Sequence, residues 1–217
     1  FMYLDGVNKY FEVMSGSVRP AERVGVTIFV GQTVYGIANF LLTSATPLLT
    51  MRLISEERKN QTLPFLFSAP ISLTEIVLGK FLGLVIFLSI LVLYIFAMLA
   101  TLNIWADIDF GYLLGNSFGL LLLIASFSAL GLYFSSLTSQ PIIAAISTFL
   151  SLIAMGVLGN YFASDPGHWF GYISMTKHYQ SFTRGVIDSS DVIYFILFIT
   201  TFLTLTVRRL DSDRLSG

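Results

Sequence analysis

Four long stretches without a single Asp, Glu, Lys or Arg constrain this chain of 217 residues more than any motif in it. Val24 to Met51 runs for 28 uncharged residues, Phe81 to Ala106 for 26, Phe110 to Ser164 for 55 and Val192 to Val207 for 16. A helix crossing a bilayer needs about 20 largely apolar residues. The 55-residue run therefore holds two helices, and Gln140-Pro141 near its middle divides them, since proline suits the first turn of a new helix. The pattern predicts five spans, at about 24–51, 78–102, 112–136, 141–162 and 191–208. The last is short and gains length from the stems of Arg208 and Arg209. Strands of a membrane barrel alternate in polarity, and Leu120-Leu121-Leu122-Leu123-Ile124 does not. Mean hydropathy of +0.78 and a charged fraction of 12% exclude a soluble globular domain. Phe1-Met2-Tyr3-Leu4, cut off by Asp5-Gly6, reads as the end of a further helix, so a sixth span is expected, largely missing from this chain.

Loop charges orient the bundle. Arg52, Arg58, Lys59, Lys80, Arg208, Arg209 and Arg214 fall on one side, against Lys9, Arg19, Arg23, Lys177 and Arg184 on the other. Basic residues abutting spans mark the cytoplasmic face, which places 52–77, 136–140 and 208–217 inside. The stretches 5–23, 103–111 and 163–190 are then external. Ile173 to Asp188 reads as a short helix lying at the membrane surface, anchored by Tyr172, Tyr179, Phe182, Lys177 and Arg184. Ser189-Ser190-Asp191 offers a cap for the last span.

The chemistry is sparse. The absence of Cys excludes disulfides and thiol catalysis, and two His ten residues apart argue against a metal site. A net charge of −1 gives no reason to expect nucleic acid. Gly79-Lys80-Phe81 lacks the upstream glycine and the hydroxyl residue of a phosphate-binding loop. No span carries an acidic or basic residue in its interior, which removes the relay that proton-driven carriers use and argues against an integral-membrane enzyme. Neutral polar residues Gln32, Asn39, Thr43 and Ser44 stand on the first full span, either as a substrate path or as ordinary contacts to another helix. Gly115 and Gly119 make a G-x-x-x-G that favours close packing.

The segment after that span carries the most information. Ser55-Glu56-Glu57-Arg58-Lys59 leads into Thr62-Leu63-Pro64-Phe65-Leu66-Phe67, with Leu63, Leu66 and Phe67 at one-face helical spacing. A short helix with an apolar face and charged shoulders can dock in a partner's groove or lie against the membrane.

Arg52-Leu53-Ile54-Ser55-Glu56-Glu57-Arg58-Lys59, Thr62-Leu63, Ser68-Ala69-Pro70-Ile71-Ser72 and Glu75-Ile76-Val77-Leu78-Gly79-Lys80 resemble the signature of ABC-2 type transporter permeases, closest to the gliding-motility-associated (GldF-like) type. Ser135-Ser136-Leu137-Thr138 and His178 to Asp188 extend the likeness. The resemblance implies an all-α, six-span (type V-like) exporter permease of the bacterial inner membrane. It implies a second permease copy or homologue and a separate ATPase subunit that binds ATP and Mg, with no cofactor in this chain. An accessory protein of the membrane or periplasm and membrane lipid are further partners it allows. It implies that Glu56, Glu57, Arg58, Lys59, Thr62, Leu63, Leu66 and Phe67 form a coupling helix over about 56–67. Its apolar face would meet the ATPase, with the charges as a polar rim. His178, Tyr179, Phe182 and Arg184 would belong to an external, partly re-entrant gate. A membrane anchor that transmits force and translocates nothing is the competing expectation.

Overall fold

The computed structural model describes residues 26–63, 66, 71–101, 109–163 and 174–216. Its described residues form helices α1 (Val26–Thr50), α2 (Ser55–Lys59), α3 (Leu73–Ala100), α4 (Phe110–Leu137), α5 (Pro141–Ala163), α6 (Met175–Thr183) and α7 (Ser189–Ser216), with no strand among them. Among the described residues, five helices are long and apolar enough to cross a membrane. The chain is an all-α membrane protein.

Helix α4 is the axis of the bundle, and α1, α3, α5, α6 and α7 all pack on it. Its sequence explains that position. Apolar residues surround it on every side, which suits a helix enclosed by others. Small residues recur along it (Gly115, Gly119, Ala125, Ala129, Gly131), and these let neighbouring backbones approach where no hydrophobic drive from water operates. Thr50 of α1 fills the space over Gly131, and Tyr112 lies over Gly31 of α1. Tyr35 of α1 donates its hydroxyl to the Leu113 carbonyl at 3.2 Å and pairs with Ser117 Oγ at 2.6 Å, fixing the register of α1 against α4. By contrast, α3 turns Leu82, Ile86, Phe87, Ile90 and Tyr94 outward, as a lipid-facing helix does.

Helix ends differ from the expected span ends for local reasons. Helix α3 starts at Leu73 because Ser72 and Glu75 form a reciprocal cap, with Ser72 N donating to Glu75 Oε2 at 2.8 Å. Helix α4 starts at Phe110, capped by Asp109, whose side chain accepts from Tyr112 N at 3.1 Å. Helix α7 continues past Arg208 to Ser216. Its polar extension buries Leu210 and supports an Arg209–Asp213 pair one turn apart at 3.5 Å. Uncharged runs measure the apolar slab, whereas helices end where caps stop them. The Ser189-Ser190-Asp191 cap is corrected too: Asp188 accepts from Ser190 N at 3.0 Å, while Asp191 is buried inside the bundle.

The segments 5–23 and 103–108, residues 164–172 and the start of the expected first span at Val24 lie outside the described residues.

Candidate functional site

At the end of the bundle expected to face the cytoplasm, the chain leaves α1 and passes through a turn at residues 51–54 into α2. The expected continuous helix over 56–67 is broken. Helix α2 stops at Lys59, and Gln61 takes a left-handed backbone, φ +55. A non-glycine residue rarely adopts that conformation. The break redirects the chain, so the two halves of the motif do not share one helix face.

The redirected faces correct a second expectation. Leu63 is buried and Leu66 is partly buried, packed with Ile54, Leu73, Ile76, Val77 and Leu210 of the same molecule. Phe67 lies outside the described residues. Leu63 and Leu66 therefore pack into the bundle. What faces outward is polar: Arg52, Glu56, Lys59, Asn60, Gln61 and Thr62 are exposed.

The charged shoulders divide in the same way. Arg58 turns inward, donating to the Ser136 carbonyl at 2.6 Å and pairing with Asp213 of α7. Glu57 pairs with Lys80 of α3 at 2.6 Å, and Lys80 also donates to the Leu53 carbonyl at 2.6 Å. Ser135, at the end of α4, is the hub. Its hydroxyl accepts from Ile54 N at 3.1 Å and Ser55 N at 3.0 Å, and donates to the Met51 carbonyl at 3.0 Å. One short elbow is thus tied by directional bonds to α3, α4 and α7. Glu56 and Lys59 are the charges of α2 left on the surface.

At the opposite end, α6 is held differently. Ser174 caps it, accepting from Lys177 N at 3.4 Å. It ends at Gly185, whose φ of +77 is the left-handed turn that glycine permits. Gly115 lies against the Gly185 backbone: a Cβ there would be 3.1 Å from Gly185 Cα. Gly119 sits directly under Phe182. The G-x-x-x-G pair of α4 is therefore the seat of α6, a helix that is not among the five spans. Tyr179 and Phe182 were expected at the membrane surface. Both are buried in the bundle, with Leu123, Phe127 and Phe195. Burial raises the Tyr179 phenol pKa. His178 Nδ1 meets Asp191 Oδ1 at 2.6 Å, and its ring stacks on Tyr194 with centroids 4.1 Å apart. Arg184 and Lys177 are exposed.

Between these ends a cavity of about 370 Å³ opens among α1, α4, α5 and α6. Asn39, Thr43 and Ser44 line one wall, with Thr43 donating to Asn39 Oδ1 at 3.1 Å. Phe127, Phe149 and Tyr179 make it largely apolar. Gln32 is exposed and does not reach it. Among the described residues no group of three His, Asp or Glu could hold a metal ion.

Sequence reasoning missed the inward partners. Ser135 and Lys80 were noticed only as parts of motifs, and Asp213 and Asp191 were assigned to a tail and a cap. The helical spacing of Arg209 and Asp213 was the one legible sign that α7 continues.

No curated protein and no solved structure matches this chain. A family model does, that of the ABC-2 family transporter protein, over residues 7–213. That match covers both the elbow and the cavity, and the chain belongs to the ABC-2 transporter family, as a membrane permease component of an ABC transporter.

Proposed function

We propose that this chain is the permease subunit of an ATP-driven exporter in a bacterial inner membrane, of the gliding-motility-associated type. It works as a pair with a second copy or a homologue. A separate ATPase subunit binds ATP and Mg and does the hydrolysis.

The observation that carries the reading is the elbow at residues 51–63. A partner pressing on its exposed side pushes a unit bonded to three spanning helices at once, through Ser135, Arg58–Asp213 and Lys80–Glu57. Directional bonds of this kind transmit displacement with little slack, whereas a loop held by apolar contact alone would slide. ATP can drive the permease only if the elbow meets the ATPase differently in its two states. The contact itself is made by Arg52, Glu56, Lys59 and Gln61, with Leu63 and Leu66 fastening the elbow from behind.

The cavity favours translocation over a purely force-transmitting anchor. Its volume lies within the usual range of small-molecule sites, and its one polar wall suits an amphipathic substrate. Helix α6, at its outer rim, serves as the external gate.

The test is gentle-detergent purification of the tagged chain with subunit identification and an ATPase assay. Recovery of a cassette ATPase at one-to-one stoichiometry is expected. A chain that purifies alone, even after crosslinking through Lys59, would overturn the reading.

A further inference from the structure

Behind the exposed side of the elbow lies a recess of about 540 Å³, bounded by Arg58, Lys59 and Gln61 on one side and by Ser139, Gln140, Pro141 and Ile142 on the other. Two separate cytoplasmic connections meet here, the one after α1 and the one between α4 and α5. The lining contains two cations, two amides and a hydroxyl, and no carboxylate. The cations are not equivalent. Arg58 is engaged by Asp213 and the Ser136 carbonyl, so its charge is balanced from within. Lys59 is exposed and makes no ion pair among the described residues. Gln61, in its left-handed conformation, stands at the rim.

We infer that this recess receives an acidic side chain of the ATPase subunit, with Lys59 as its counter-ion and Gln61, Ser139 and Gln140 as hydrogen-bonding groups around it. The inference rests on the permease reading and adds the chemistry of the contact. Charge complementarity favours a carboxylate: one uncompensated cation beside neutral donors leaves room for one anion, and Gln and Ser side chains can donate to it. An apolar anchor would strand those donors, because a buried polar group without a partner is costly. Engagement of both connections would let one partner residue grip two parts of the permease.

The experiment is zero-length carbodiimide coupling of the purified permease–ATPase complex, followed by peptide mass spectrometry. An amide bond between the Lys59 amine and an Asp or Glu of the ATPase is expected. Lys59→Arg, which keeps the charge but offers no amine, loses the adduct. Lys59→Glu lowers retention of the ATPase about tenfold at low salt, and the difference shrinks as salt rises, as it does for partly exposed charges. Two results overturn the inference while leaving the permease reading standing: a complex in which Lys59 never couples to the ATPase, or one whose retention is indifferent to Lys59→Glu at every salt concentration. Absence of any ATPase from the wild-type preparation overturns both.

Discussion

The elbow end of this bundle, cytoplasmic in the proposed orientation, and the opposite, outer end each carry a short helix that spans nothing, and they fasten it by different chemistry. At the cytoplasmic end, α2 is joined to its neighbours by a serine hub, an arginine–aspartate pair and a lysine bonded to both a carboxylate and a carbonyl. At the outer end, α6 rests on two glycines and a set of aromatic rings, with one histidine–aspartate pair. Hydrogen bonds and ion pairs are directional and hold a geometry. Aromatic and aliphatic contact tolerates sliding until a bulky group blocks it. In the proposed permease, that difference suits an end that passes on a displacement and an end that moves apart.

The sharpest way to break this contrast is to remove the serine hub. Ser135→Ala leaves two buried backbone N–H groups and a carbonyl without their partner, at a cost of about 3 kcal/mol. Thermal unfolding in detergent would register the loss. In the proposed permease, transport-linked ATPase activity should fall further than stability alone explains, since the elbow loses its hub on α4 and keeps there only the Arg58 bond to the Ser136 carbonyl among its hydrogen bonds. If ATPase activity stays fully coupled in Ser135→Ala, directional bonding is not what transmits the displacement. The matching change at the outer end is Gly119→Val. Its side chain would occupy the position of Phe182, with an overpacking cost of about 2 kcal/mol. Here the expected signature is faster amide exchange in α6, with the cytoplasmic elbow unaffected. Equal loosening of both ends would erase the distinction between them.

Much of this architecture is written in the uncharged runs. They place five apolar helices, and Gln140-Pro141 divides the longest run where α5 begins. What they do not contain is direction. Leu63 and Leu66 have the spacing of an outward amphipathic face, yet the left-handed turn at Gln61 breaks the helix and sends both into the bundle. Periodicity is informative only while the helix continues, and a single backbone dihedral ended it. Arg58 and Glu57 likewise read as a solvated rim, because their partners Asp213 and Lys80 stand 155 and 23 residues away. Asn39, Thr43 and Ser44, which read either as a path or as helix contacts, stand on one wall of the cavity, while Gln32 does not.

Each end holds an ion pair that joins its short helix to α7, and a double-mutant cycle on each would sharpen the comparison. Arg58→Met with Asp213→Asn should yield a coupling of about 1 kcal/mol, since both side chains are only about a fifth exposed. His178→Phe with Asp191→Asn should yield a similar or smaller value, because a phenyl ring preserves the stack on Tyr194. An outer coupling clearly larger than the inner one would reverse the contrast, because the outer end would then be the one held by charge.

The smallest expected effect belongs to Asp188, just before α7. The Ser190 backbone N–H, and then its hydroxyl, hold this carboxylate below the usual range. A carboxylate with a lowered folded-state pKa adds stability that is present above the unfolded value, near pH 3.9, and is lost as pH falls through the folded value. Acidifying the outer side should therefore loosen the start of α7, read as amide exchange at Ser190 to Val192. Asp188→Asn has no carboxylate to protonate and should lack this part of the pH dependence. Gly185, Arg184 and the α6 seat should respond only through α7, and the cytoplasmic elbow, which this residue does not touch, should not respond at all. If exchange at the start of α7 follows the same acid profile in wild type and Asp188→Asn, the pH sensitivity of the outer end lies elsewhere.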